Sequence, residues 1–355
     1  MFDDEYVNEN LRKESEISSY RGVAILGEQH FGKISSVTYE LITWGRKLAD
    51  EMNQPLYCFM LGDNINAIGT LVECGADVVF HVKNPLLENF LPQSYAQAIS
   101  RLVIEEKPSV LIGAATTTGR TVMPLVAATL ETGLTADCTG LTIDPVSGLL
   151  LQTRPAIGGN IMATIKTPDH RPQMATVRPR SAKPALPTSG RVGKIVVKNY
   201  EPATIFTPER FIEFIRDSSQ AVSIDEADVV VAGGKGFKSA EGFKLVERLA
   251  EVMNAAVGAS RDAVELGWAS YPHQIGLSGK TVCPKLLIAC GISGKIQFLA
   301  GMQTAETVVA INKDPDAQIF KVADYGIVGD VFEVVPLLIA AIEQQKAEKR
   351  GRDAV

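Results

Sequence analysis

Between Gln274 and Pro336 two short apolar runs, Lys285–Cys290 and Thr307–Ile311, each pass directly into a loop of small and polar residues. The first loop, Gly291-Ile292-Ser293-Gly294, leads into a helix-like segment, Lys295–Ala300. The second run ends in Asn312-Lys313-Asp314-Pro315, and a further apolar piece, Ile319–Val322, enters Ala323-Asp324-Tyr325-Gly326-Ile327-Val328-Gly329-Asp330. Strand, glycine loop and helix start in succession favour an anion at the strand end. Glycine lets the backbone approach a phosphate, and N–H groups at a helix start point toward it. The pattern predicts a parallel α/β sheet whose strand ends hold a large, phosphate-bearing ligand.

A second arrangement of this kind lies upstream. Val229–Ala232 reads as a central strand running into Gly233-Gly234-Lys235-Gly236, with helical periodicity over Ser239–Met253. The glycines there could equally serve only to turn the chain. The first half alternates in the same way. Apolar runs at 21–28, 55–61, 77–82 and 109–112 alternate with helical stretches at 35–52, 66–74, 95–106 and 123–130, which is the signature of a parallel α/β domain. After Leu141 short strands are expected at 141–143, 149–154, 160–165 and 173–177, as mixed or antiparallel extensions of that sheet. The segment Arg178–Arg191 has three prolines and four basic residues and reads as a linker. Gly193–Tyr200 then reads as the entry to the second domain.

At 355 residues the chain is long enough for two domains with separate cores. A net charge of −6 argues against a general nucleic-acid surface. Five cysteines form no C-x-x-C pair and have no histidines at metal spacing, which fits buried, reduced thiols and no metal site. None of the four histidines lies in a nucleophile motif. No run approaches the roughly 18 apolar residues needed to span a membrane. The acidic N-terminus, MFDDEYVNENLRKESE, resembles neither a secretory signal nor a mitochondrial presequence, so a bacterial cytoplasmic protein is expected.

Four adjacent blocks, GLSGKTVCP, GISGKIQFLAG, VAINKDPDAQIF and ADYGIVGD, resemble the C-terminal domain of the electron transfer flavoprotein alpha subunit. AGGKGFKS, VGASRDAVELGW and GLTADCTGL resemble further blocks of that family, so the likeness covers nearly the whole chain beyond the first twenty residues. It implies an N-terminal parallel α/β domain of adenine-nucleotide-hydrolase type over 21–192, following a 1–20 extension. A Rossmann-like FAD-binding domain follows over 193–335, with the linker at about 178–192 and a C-terminal helix and tail over 336–355.

The resemblance also assigns residues. Lys235 stands where the family usually has an arginine near the flavin ring; lysine keeps the charge but lacks a planar stacking face. Ser260 and Arg261 match positions facing the flavin and its phosphates, and an ion pair of Arg261 with Asp262 or Glu265 is the plainer alternative. Gln274, Ile275, Gly276, Leu277 and Ser278 match a loop around the isoalloxazine, in which Ser278 takes the place of the hydroxyl that donates to N5 and Leu277 replaces a usual glutamine. Ser293, Gly294, Lys295, Ile296, Gln297 and Phe298 match the loop holding the phosphate and ribityl region, with Phe298 where a histidine is usual near the flavin O2. Asn312, Asp330 and Val331 match the adenosine end, and Asp330 suits a helix N-cap as well. The implied function is an electron carrier with one FAD, no metal and no small-molecule substrate of its own. It pairs with a beta subunit holding AMP or a second FAD, and exchanges electrons with acyl-CoA dehydrogenase-type flavoproteins. Some family members instead form flavin-bifurcating complexes with NADH and ferredoxin. A two-domain NAD(P) oxidoreductase is the remaining alternative, and GGKGFK lacks the third glycine that reading requires.

Overall fold

The computed structural model describes residues 17–156, 161–201, 204–205, 207–213, 224, 227–302 and 305–353. Of the expected 1–20 extension, residues 1–16 lie outside them. The chain divides into two compact units, Met1–Glu213 and Phe214–Val355.

The first unit is built on a seven-stranded, fully parallel sheet. Its strands are β1 (Val23–Leu26), β4 (Leu56–Leu61), β5 (Val78–Val82), β6 (Val110–Ala114), β7 (Leu134–Cys138), β11 (Gln173–Val177) and β12 (Lys194–Lys198), in the order β12-β5-β4-β1-β6-β11-β7. The central strands, VAIL, LYCFML and VLIGA, are apolar throughout because helices cover both faces. Helix α1 (Ser36–Met52) buries Val37, Leu41 and Leu48 against one face. Helix α3 (Pro92–Glu106) buries Ile99 and Leu102 on the other, joined there by α4 (Thr117–Thr129) through Val122 and Val126. A short helix α2 (Thr70–Cys74) and a two-stranded ribbon, β2 (Gln29–His30) with β3 (Lys33–Ile34), complete that part.

Three expectations are corrected. Strands β8 (Gly140–Ile143), β9 (Leu150–Pro155) and β10 (Met162–Ile165) form a separate three-stranded antiparallel sheet, not an extension of the main one. Strand β11 inserts between β6 and β7 in parallel. The segment 178–191 is not a free linker. The Trp44 indole donates to Ser181 Oγ at 3.0 Å, Thr43 donates to the Lys183 carbonyl at 2.7 Å, and Ala185 N–H donates to the Tyr39 carbonyl at 3.0 Å, so the segment is fastened along α1. Gly193–Tyr200 does not open the second unit. Its β-branched run pairs with β5 and extends the first sheet by an edge strand.

The second unit has five parallel strands: β13 (Val229–Gly233), β14 (Ala256–Ala259), β15 (Leu286–Cys290), β16 (Thr307–Asn312) and β17 (Tyr325–Val328), in the order β14-β13-β15-β16-β17. Helices α5 (Ala240–Met253) and α8 (Val331–Asp353) cover one face through Phe243, Val246, Leu249, Val331 and Val335. Ile275, Val282, Phe298, Met302 and Ile319 cover the other. After β13 the chain moves to one side for β14, then crosses to the other for β15. The order therefore reverses between β13 and β15, where open α/β sheets place their ligands.

Candidate functional site

Beyond the strand ends, backbone hydrogen bonds carry the sheet one residue further. Gly234 N–H donates to the Cys290 carbonyl at 2.9 Å, Ser260 N–H to Gly233 at 2.9 Å, Gly291 N–H to Ile311 at 2.8 Å and Gly329 N–H to Asn312 at 3.0 Å. The loops that follow are thereby held in one rim. Across the switch point Gly236 N–H donates to the Gly291 carbonyl at 3.1 Å. A Cβ on Gly234 would stand 2.4 Å from the Gly291 oxygen, and one on Gly236 would stand 2.7 Å from Gly291 Cα. Gly291 itself has φ +62°. These glycines serve to bring two loops into backbone contact, and Lys235 projects into solvent from the middle of the first.

The loop after β15 carries backbone N–H groups of the kind that can bind an anion. Among the described residues no protein acceptor takes the N–H groups of Gly294, Lys295 or Ile296, and the Ser293 and Lys295 side chains beside them are exposed. The helix expected over Lys295–Ala300 is only one turn, α7 (Ile296–Leu299), so its dipole adds little. Gly294, at φ +79°, would place a Cβ 2.3 Å from the Ile319 nitrogen, so only glycine allows this approach.

The loop 274–282 joins this region directly. Leu277 N–H donates to the Gln297 carbonyl at 2.9 Å and Val282 N–H to the Gly301 carbonyl at 2.8 Å. Ile275 is core, whereas Leu277 and Ser278 are exposed. The buried Gln274 amide donates to Ser278 Oγ at 3.0 Å. Gln297 is exposed, but the Phe298 ring is 6% exposed and packs in the core with Ile275, Val282 and Met302. Near the other end of the sheet, Asn312 spends its amide on the protein, donating to the Ile292 carbonyl at 2.9 Å and accepting from Asp314 N–H at 3.0 Å. Asp330 Oδ1 accepts from Phe332 N–H at 2.9 Å as the cap of α8, while Val331 is core.

Arg261 lies on the one-turn helix α6 (Arg261–Glu265) and donates through Nε to Glu265 at 2.7 Å. That neighbouring carboxylate raises its pKa. The plainer of the two readings of Arg261 is therefore the geometry found. Ser260 precedes it as the N-cap without a side-chain capping bond. Two residues were not singled out from the sequence. Lys238, at φ +62°, holds its ammonium 5.1 Å from the Phe332 ring and 4.0 Å from Asp330 Oδ2. The Tyr271 hydroxyl donates to the Ser278 carbonyl at 2.6 Å. Lys238 lies inside the AGGKGFKS block, two residues after Gly236, and a second charge in that block was the available signal.

The first unit's order reverses between β1 and β6, and that place is closed by side chains. Thr116, the cap of α4, donates to the buried Glu28 carboxyl at 2.6 Å and accepts from Gly119 N–H at 3.0 Å. Thr38 bonds both backbone groups of Glu28. Burial pushes the Glu28 carboxyl up to about 7 against the opposing effect of Thr116. Farther along the rim Arg178 is paired with Asp137 at 2.8 Å.

Two parallel α/β units, one of them with hydroxyls and lysines along the rim at its switch point and with backbone donors there left without a protein acceptor among the described residues, have the architecture of the nucleotide-cofactor-binding class. Residues 23–203 match the family model of the electron transfer flavoprotein domain, and residues 223–303 match that of the electron transfer flavoprotein FAD-binding domain. An electron transfer flavoprotein subunit alpha from Thermoanaerobacterium thermosaccharolyticum is 48% identical over 93% of this chain and 100% of its own. The subunit LctC of a lactate dehydrogenase (NAD(+),ferredoxin) from Acetobacterium woodii is 39% identical over 94% of this chain and 79% of its own. An acryloyl-CoA reductase electron transfer subunit beta from Anaerotignum propionicum is 38% identical over 94% and 98%. The chain belongs to the electron transfer flavoprotein alpha-subunit family. Among the described residues no helix is long and apolar enough to cross a membrane.

Proposed function

We propose that the second unit binds one FAD along the rim of its sheet, and that the chain works as the alpha half of a heterodimer whose beta subunit holds AMP or a second FAD. The carrying observation is the group of N–H donors at Gly294, Lys295 and Ile296 that no acceptor takes among the described residues, with Ser293 and Lys295 beside them, at the end of the strand next to the switch point. Flavin supplies the chemistry of accepting and releasing electrons. The protein's residues orient it and bias its potential. Ser293 and Lys295 suit the phosphates, Ser278 the ring, Asp330 the ribose of the adenosine, and Lys235 a negative charge near the ring. The core positions Ile275, Phe298 and Val331 support these loops from below. Electrons would pass to and from an acyl-CoA dehydrogenase-type flavoprotein in the bacterial cytoplasm.

A bifurcating complex is the second reading. It is favoured by the relative named as subunit of a lactate dehydrogenase acting with NAD(+) and ferredoxin. Purification of the co-expressed heterodimer and extraction of its nucleotides tests the first reading. FAD is expected, and NAD released with no flavin at all overturns it. Bleaching of the flavin by NADH then separates the bifurcating complex from the simple carrier.

A further inference from the structure

We propose that Gln274 is a positioning residue that turns Ser278 into a fixed hydrogen-bond donor toward the bound flavin ring. This rests on the reading of loop 274–282 as a flavin loop. Gln274 is only 4% exposed, so its part is played through its exposed neighbour. Its Nε2 donates to Ser278 Oγ at 3.0 Å. A hydroxyl has one proton and two lone pairs, and a donor at one lone pair cannot receive the proton. Among the described residues no acceptor takes that proton. It is left for a group outside the loop.

The rest of the loop leaves the Gln274 amide in control of this rotor. Ile275 N–H donates to Ala259 at 2.9 Å, Lys280 N–H to the Gln274 carbonyl at 2.7 Å, and Leu277 N–H to Gln297 at 2.9 Å. The Tyr271 hydroxyl fixes the Ser278 carbonyl at 2.6 Å. Gly279 packs over Gln274, where a Cβ would stand 2.9 Å from its Cγ. With the backbone fixed, the Ser278 hydroxyl can still turn about its own bonds, and the Gln274 amide selects its direction. A preset O–H facing a ring nitrogen needs no reorientation on binding, and its bond strengthens as negative charge enters the ring.

The test is a double-mutant cycle on the FAD-loaded heterodimer: Gln274→Leu, Ser278→Ala and the pair together. The FAD dissociation constant, the potential for the first electron and thermal stability are read for each. Each single variant should shift the potential negative and raise the dissociation constant by about 3- to 10-fold, the worth of one ordinary hydrogen bond. The pair should match Ser278→Ala alone, because the second loss acts through the first. Ser278→Thr should keep the wild-type potential. Equal shifts from Gln274→Leu with and without Ser278 would overturn the proposal, since a merely structural role ignores the hydroxyl. If Gln274→Leu does not fold, Gln274→Met keeps the length without the amide, and a wild-type potential in that variant also overturns it. A wild-type heterodimer without FAD is seen before any variant is made, and its meaning is different: the loop is then not a flavin loop.

Discussion

Glu28 is held in the first unit by two threonines and the surrounding core, and burial works against its ionised form. Its pKa rises from 4.5 to about 7, and burial raises that of Glu40 likewise to about 7 against the opposing effect of the Arg180 N–H it accepts from. Below pH 4.5 the native and unfolded chains both carry these protons, and the contribution to stability is complete. Between pH 4.5 and 7 the unfolded chain loses them first, so stability falls as pH rises, and above 7 the loss is finished. Glu28→Gln keeps an acceptor for Thr116 and removes the ionisation. We expect it to remove the Glu28 share of this slope, leaving that of Glu40, and to stabilise the protein at pH 8 by about 1–3 kcal/mol, as read from denaturant midpoints between pH 4.5 and 8. Phe298 carries a second prediction at this scale. Its family position suggested a place beside the flavin ring, but the ring packs against Ile275, Val282 and Met302. Phe298→His would bury an imidazole without a partner. A loss of about 1–3 kcal/mol in stability is expected, with a potential shift smaller than that of Ser278→Ala.

At the scale of elements, the glycine loops were legible because glycine between an apolar run and a helix has few reasons to exist. Their task was only half legible. Sequence shows that the backbone may come close to something; it does not show that Gly234 and Gly236 come close to Gly291. Gly236→Ala would put a Cβ 2.7 Å from Gly291 Cα, and backbone cannot move aside as a flexible side chain can. It should destabilise the second unit by about 1–3 kcal/mol and lower the flavin content of the purified heterodimer, both measured together. The strands and helices with strong periodicity, α1, α5 and the apolar centres of both sheets, were legible for the same reason that they are stable: one face must be buried. The apolar pattern predicts helix α4 from Met123, but it starts at Thr117, because TTTGR looks like a loop until Thr116 caps it through Gly119 N–H. Strand β7 hid inside a motif read for function, and its alternation is broken by Asp137 at φ +64°.

At the scale of the molecule, the boundary between units was the hardest feature to read. Prolines and basic residues over 178–191 look like a linker, yet tertiary hydrogen bonds fasten that segment to α1. The strand after it belongs to the first sheet. Lys194–Lys198 pairs with Val78–Val82, and Lys83 N–H donates to the Lys198 carbonyl at 2.9 Å. Beyond it Tyr200 and Ile205 are buried against the same core as Leu102 and Phe80, and the Arg101 guanidinium lies 4.4 Å from the Tyr200 ring. Asn84 donates to the Tyr200 carbonyl at 3.0 Å. The two ways of cutting the chain therefore give opposite expectations. A fragment ending at residue 213 keeps all seven strands and both cores, and should melt cooperatively. One ending at residue 192 loses the edge strand, Tyr200 and Ile205. Two large buried side chains are worth about 1.5–3 kcal/mol each, and the uncovered β5 edge is a ready template for pairing with other chains. The shorter fragment should show a lower melting temperature and concentration-dependent association, followed by thermal unfolding and light scattering. Equal melting temperatures for the two fragments would place the boundary back at 192 and make β12 dispensable to the first unit.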